Sequence, residues 1–382
     1  MSSNNMFYIK PNELVTPCYL FDIDKLHEEL AGLQQYIPKE NIIYSIKANP
    51  FIISYLSDEV ARFEVCSLGE LNICISQNIS PQKITIAGVN KNSKYIKQAL
   101  EYGVTRYVIE STHQWHLIQE QLNKTESKNI HILLRVNIGN QFGMELDEIH
   151  ELINITDCSK YIKGFHMYMG TQNFEVEKIK SYISQLKMTV DSVTSIDIHE
   201  ITVGVGFPVH YFNDHRVPNE ELLPTIINDL ETTFKNFNIE YEFGRKIAAS
   251  CGQYYTKVVE LRERNRKLFA IVDGGTHQIN YYGQLYGRRL PYIKQYPLRN
   301  ESAQYTICGS LCSASDILVH NHELGLLKEG DILCFENAGA YSVTEGYYLF
   351  LTHPLPVIYI FDPKEGLHLL RNKIDTEFIN GG

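Results

Sequence analysis

Lys47 stands near the end of the apolar run Ile42-Ile-Tyr-Ser-Ile-Lys-Ala. A single lysine is ordinarily a solvated surface charge, but Ile43 and Ile46 beside it leave little room for an exposed face. A lysine amine held among apolar groups loses basicity and can form a Schiff base with an aldehyde cofactor. Glu242 and Arg245 lie three apart around Gly244 in Tyr-Glu-Phe-Gly-Arg-Lys. Taken alone they read as a turn with a surface ion pair. As a site, Arg245 and the Gly244 amide would hold a phosphate while Glu242 faced a protonated ring nitrogen. Gly204-Val-Gly206-Phe-Pro lacks the third glycine of the dinucleotide fingerprint, and Pro208 stands where its helix should open, so it argues weakly for NAD. A close backbone approach to a phosphate is the reading it keeps. Cys312, in CGSLCSASD, is either a buried structural thiol or a reactive one exposed in a loop. Tyr341, in FENAGAY, could equally be core packing.

Such residues need a scaffold. From about Asn41 to Arg245 short apolar runs alternate with longer amphipathic stretches. The strand-like runs begin at Ile42, Phe63, Ile84, Tyr107, Ile132, Ile162, Ile201 and Ile239. Between them lie helix-period segments such as LGELNICISQN, NSKYIKQALEYG, FEVEKIKSYISQLKMTVDSV and NEELLPTIINDLETTFKNF. Eight β runs alternating with helices is the count of a (β/α)8 barrel, although a doubly wound open sheet would read much the same. In a barrel, catalytic groups lie at the C-terminal ends of the strands, with phosphates bound after the last ones. Beyond Arg245, GQYYTKVVELRER, KLFAIVDGG, YTICGS, GDILCFENAG and PVIYIF are strands without long helices, which reads as an antiparallel β domain. The expected division is therefore 31–245 for the barrel and 246–382 for the β domain, with 1–30 as a segment joining the latter.

The chain has 382 residues and is 44% hydrophobic. A chain of that length buries about three quarters of its unfolded surface, so it needs no metal or disulfide for stability. Lys+Arg 35 against Asp+Glu 45 gives −10, which argues against nucleic-acid and anionic-membrane surfaces. No apolar run approaches a membrane span, and MSSNNMFYIKPNE lacks the features of a signal peptide. The eight cysteines contain no C-x-x-C pair and sit mostly in strand-like runs, which fits a reducing, cytoplasmic setting.

In order along the chain, YSIKAN, FEVCSLGEL, LLRVNIGNQFGM, GFHMYMGTQ, VGVGFP, EFGR, VDGG, CGSLCSASD and FENAGAY resemble the fold-type III pyridoxal-phosphate decarboxylases, the family of the ornithine, diaminopimelate and arginine enzymes. The resemblance runs from about Thr16 to Tyr359, and MYMGTQN, GRRLP and FLTHPLP carry it toward natural-product members such as the butirosin glutamyl-carrier-protein decarboxylase. It implies an alanine-racemase-like fold and pyridoxal 5'-phosphate as cofactor. Lys47 would be the Schiff-base lysine, and Glu242 the acid that keeps the pyridine nitrogen protonated. Gly206, Gly244, Arg245 and Tyr341 would contact the phosphate, Cys312 would return a proton to the substrate carbon, and Asp316 would be a substrate-facing carboxylate. The last two would reach the active site from the partner subunit, which implies an obligate head-to-tail homodimer. Tyr168 replaces the usual ring-stacking histidine and can still stack, Val205 replaces the middle glycine, and Phe243 replaces the proline of E-P-G-R. Ser313 stands where lysine and ornithine enzymes place an acid for a distal ammonium. A conjugated, carrier-bound or acidic amino acid is the expected substrate; Arg288 or Arg289 could meet a distal carboxylate, or form a solvated basic turn.

Two other functions compete. An amino-acid racemase on the same fold would place an arginine against the ring nitrogen, where this chain has Glu242. A non-catalytic homologue that binds a protein partner would lose cofactor contacts, whereas Lys47, Glu242, Arg245, Cys312 and Tyr341 are all present.

Overall fold

Strand β1 (Cys18–Asp22) is the first of the described strands. Eight strands follow, each starting at or next to an apolar run read from the sequence: β2 (Ile42–Ser45), β3 (Arg62–Val65), β4 (Ile84–Ile86), β5 (Arg106–Ile109), β6 (His131–Arg135), β7 (Ile162–Tyr168), β8 (Glu200–Gly204) and β9 (Asn238–Phe243). All eight pair in parallel and close on themselves, β9 returning to β2 through Ile43 opposite Glu242. The expected barrel is therefore the one that forms, not an open sheet. This computed structural model describes residues 9–125, 129–282 and 287–381.

The barrel strands read as unbroken apolar runs because both of their faces are covered. Every residue of β2, β4, β5 and β8 is buried. Side-chain caps start the intervening helices: the Ser67 side chain accepts from the Glu70 amide, Asn92 from Tyr95 and Ser111 from Gln114. Where strands begin, charge replaces hydrophobicity. Arg106 is buried and pairs with Glu200 and Glu240 while donating to the Thr202 hydroxyl, and Arg62 Nε reaches Glu240 Oε1 at 2.9 Å.

The second unit is a sheet built from β1 and eight later strands: β10 (Gly252–Arg264), β11 (Lys267–Val272), β12 (Ile293–Tyr296), β13 (Ser302–Cys308), β14 (Ile317–Gly325), β15 (Ile332–Phe335), β16 (Val357–Asp362) and β17 (Gly366–Arg371). Its main path runs β14-β13-β11-β10-β1-β16-β17, with β15 joining β10 to β12. Most pairs are antiparallel, as expected, but β1 with β16 and β11 with β13 run parallel. The sequence reading did not mark β14, because His320, Asn321, His322 and Glu323 interrupt its apolar alternation.

Ala31–Pro208 and Pro218–Lys246 cluster as one compact unit, and the residues up to Leu30, Val209–Val217 and those from Ile247 onward as the other. Val209–Val217 thus leaves the barrel with which the sequence reading had grouped it. Among the described residues no helix is long and apolar enough to cross a membrane.

Candidate active site

The 3-10 turn Ile46–Ala48 follows β2 directly and carries Lys47 at the C-terminal end of that strand. Its amine is not surrounded by apolar groups alone, as the sequence had suggested. Lys47 Nζ donates to Glu64 Oε2 at 2.6 Å and lies 3.7 Å from Cys66 Sγ and 6.0 Å from the Tyr168 ring centroid. Burial pushes the Glu64 carboxyl up, but the Lys47 charge and hydrogen bonds from Lys47 and Ser45 outweigh it and hold the group down at about 2. Burial and the Glu64 charge push the Cys66 thiol up, so it stays protonated beside them. Sequence reasoning missed Glu64. Its signal was a single acid inside the otherwise apolar Phe63-Glu-Val run.

On β9, the strand paired with β2, Glu242 Oε2 meets His166 Nε2 from β7 at 3.0 Å, both residues being buried. The other carboxylate oxygen, Glu242 Oε1, has no hydrogen-bond partner among the described residues. A buried acceptor left open is costly unless a donor or cation meets it. The ring of Tyr168, on the same strand as His166, has Arg135 Cζ as well as Lys47 Nζ at 6.0 Å from its centroid.

Backbone rather than side chains shapes the next part of the site. A Cβ at Gly204 would fall 2.9 Å from the Tyr168 ring and 3.3 Å from Glu242 Oε2. Gly206 has φ +70°, and a Cβ there would come within 2.0 Å of the Gly170 carbonyl. Asn173 Nδ2 ties this turn together, donating to Met169 O at 2.9 Å and Val205 O at 2.7 Å. Val205 itself is buried. Gly244 follows β9, and Arg245, largely buried at the start of the short helix Arg245–Ala248, donates through Nε to Thr171 Oγ1 at 3.3 Å. A pyridine aldehyde phosphate fits this set. There is an amine for the aldehyde, an open carboxylate oxygen for the ring nitrogen, an aromatic face, and a glycine-lined turn beside a guanidinium for the phosphate. Among the described residues no cluster of three His, Cys, Asp or Glu side chains could hold a metal ion.

The sheet unit carries the remaining candidates. Cys312 is exposed in the loop between β13 and β14, and Ser313 Oγ lies 2.8 Å from Ser315 Oγ. The Asp316 carboxylate, read from the sequence as substrate-facing, is engaged within its own unit. It is 2% exposed and accepts from the Leu311 amide, the Thr276 amide and the Thr276 hydroxyl, each at 2.8 Å. Tyr341 is half-buried with φ +66°, a left-handed conformation unusual for a residue other than glycine. Arg288 is exposed, and Arg289 Nη1 lies 3.9 Å from Asp214 Oδ2.

Residues 23–249 match the family model described as pyridoxal-dependent decarboxylase, pyridoxal binding domain. The L-glutamyl-[BtrI acyl-carrier protein] decarboxylase of Niallia circulans is 29% identical over 385 residues, covering 90% of this chain and 88% of the relative. The 2-[(L-alanin-3-ylcarbamoyl)methyl]-2-hydroxybutanedioate decarboxylase of Staphylococcus aureus is 27% identical, covering 91% and 94%. In fold, the chain is similar to the crystal structure of diaminopimelate decarboxylase from Helicobacter pylori complexed with L-lysine. The TM-score is 0.84 at 23% identity, over 96% of each chain.

Proposed function

The chain belongs to the pyridoxal-dependent decarboxylases, and from that premise we propose that it removes the α-carboxylate of an amino acid whose side chain is conjugated to another group. The observation that carries the reading is Glu242, with one oxygen held by His166 and the other open, in the same barrel as Lys47. Bound pyridoxal phosphate supplies an electron sink for the pair left when CO2 departs. Lys47 holds its aldehyde, and the Glu64 carboxylate keeps the Lys47 amine in place and offsets the positive charge beside it. Glu242 holds a proton on the ring nitrogen, and an acid there, rather than the arginine of a racemase, favours full withdrawal of charge into the ring. Tyr168 covers a ring face; Gly206, Gly244, Arg245 and Tyr341 hold the phosphate. Cys312 carries a proton on Sγ for the substrate carbon, and its loop, on this reading, comes from the second subunit of a homodimer. Eight free cysteines fit a reducing, cytoplasmic setting.

Two observations support a conjugated substrate. Cys312 is followed by Ser-Ala-Ser, with no acid next to it to meet a distal ammonium, and Asp316 already accepts three hydrogen bonds. The two relatives named above act, by their names, on a glutamyl-carrier protein and on a carbamoyl conjugate. Arg288 or Arg289 would meet a carboxylate if the far end is acidic. The test is the visible absorbance of purified protein with and without Lys47→Ala, followed by CO2 release from free, γ-amidated and carrier-bound amino acids. A band that disappears in the variant, with CO2 from a conjugate, is the expected result. A protein that takes up no pyridoxal phosphate, or that releases CO2 only from free diamino acids, overturns the proposal.

A further inference from the structure

The barrel unit holds a thiol beside Lys47 that the mechanism above does not use. Cys66 follows β3 directly, one residue before the Ser67 cap of the helix Leu68–Ser76. Its thiol donates to Glu64 Oε1 at 3.2 Å, and its sulfur lies 3.7 Å from Lys47 Nζ. The other carboxylate oxygen, Glu64 Oε2, holds that same amine at 2.6 Å. Amine, carboxylate and thiol thus close a ring of three contacts. Burial, and then the Glu64 charge, push the thiol well above its ordinary range. It therefore keeps its proton, acts as a donor, and does not compete with Lys47 for an aldehyde.

The backbone gives this thiol one place to stand. The Cys66 amide donates to Glu70 Oε2 at 2.6 Å, and the Tyr95 hydroxyl donates to the Val65 carbonyl at 2.9 Å. Gly88, with φ +84°, packs so closely that a Cβ there would lie 2.2 Å from the Cys66 carbonyl oxygen. The buried Lys91 amine donates to the Gly88 carbonyl and to Gln114 Oε1, which secures that turn against Cys66. With its backbone fixed, the S–H sets where Glu64 Oε1 sits, and so which way Oε2 faces. Ser45, on β2 with its strand leading into Lys47, also donates to the carboxylate, so two donors from different strands fix its plane.

We propose that Cys66 is a positioning residue for Lys47: its S–H orients the Glu64 carboxylate and its sulfur borders the amine on a second side, so that the nitrogen is presented in one place. The inference rests on Lys47 as the residue that takes the cofactor aldehyde. Alanine at 66 removes the S–H and opens space beside the amine. The carboxylate then turns, and its hold on the positively charged nitrogen weakens. Glu70 beside Cys66, His166 near Glu64, Tyr168 near the amine and Lys91 also act on these three groups, and substitution at 66 leaves each of them in the chain.

Binding of pyridoxal 5'-phosphate tests this without turnover. Wild type, Cys66→Ala, Cys66→Val and Cys66→Ser are stripped of cofactor and titrated with it, following the visible band across pH, with Lys47→Ala as the control. Cys66→Ala and Cys66→Val should bind about tenfold more weakly, the value of one hydrogen bond to a charged group. Their bands should titrate about 0.5–1 pH unit lower, because the carboxylate that favours the charged nitrogen has turned. Cys66→Ser keeps a donor and should recover most of both. Valine fills the space of the thiol, so a loss shared by alanine and valine but not by serine belongs to the donor, not to packing. If Cys66→Ala does not fold, as read from its urea midpoint, Cys66→Val against Cys66→Ser carries the same comparison. Wild-type affinity and pH midpoint in the valine variant, or an equal loss in serine and valine, would overturn the proposal. A band that survives Lys47→Ala would overturn it at its premise, the assignment of Lys47, and is thereby told apart from a failure of Cys66.

Discussion

Asp316→Asn separates a clamp from a substrate contact. The carboxylate accepts three hydrogen bonds of 2.8 Å, two on Oδ1 from Thr276 and one on Oδ2 from the Leu311 amide. Hydrogen bonds to a charged group contribute about 1.5–3 kcal/mol each, and neutral ones about 1. Asparagine keeps the shape and one acceptor oxygen. Seated with that oxygen toward Thr276, its amide nitrogen faces the Leu311 N–H, so one charge-assisted bond is lost and a buried donor is stranded. The other two bonds fall to neutral strength. At the low end of these ranges the destabilisation is about 3.5 kcal/mol, read as a lower urea midpoint at unchanged slope. With the Cys312 loop loosened, kcat should fall while KM stays within about twofold, as for a group that acts on the reacting atoms only through another residue. Thr276→Val, which removes only the hydroxyl donor, should cost about 1 kcal/mol. An Asp316→Asn protein of wild-type stability whose KM rises steeply would refute the clamp and restore the carboxylate to the substrate.

Two further expectations concern the barrel. Glu64 has its carboxyl held at about 2 in the fold against 4.5 ordinarily, so it contributes stability above pH 4.5 that drains away as pH falls toward 2. Cofactor-free protein should therefore lose about 3 kcal/mol across that window, and Glu64→Gln, less stable at neutral pH, should lose markedly less; parallel acid-unfolding curves would contradict this. Arg106→Met leaves Glu200 buried without its arginine and Glu240 with Arg62 alone. It should destabilise the barrel by about 3–5 kcal/mol, and adding Glu200→Gln, which removes the carboxylate left without an arginine, should recover part of the loss. Cofactor absorbance per folded molecule should not change, because the network lies where strands begin and the site where they end.

Much of the scaffold was legible in the chain itself. Strands covered on both faces must be apolar throughout, so the starts of β2 to β9 could be read one by one, and their alternation with amphipathic stretches set the count at eight. Lys47, Glu242 and Arg245 stand at the ends of such strands, so local sequence alone put them at the functional end of a barrel. Which groups they meet was decided elsewhere. Glu64 reaches Lys47 from 17 residues away, and His166 reaches Glu242 from 76. Asp316 turns inward because the amides of Leu311 and Thr276, brought together only by the sheet, need an acceptor. Hydrophobic periodicity records whether a residue faces a core. It holds no record of which distant polar group shares that core, and that choice is made by the closing of the barrel and the pairing of the sheet.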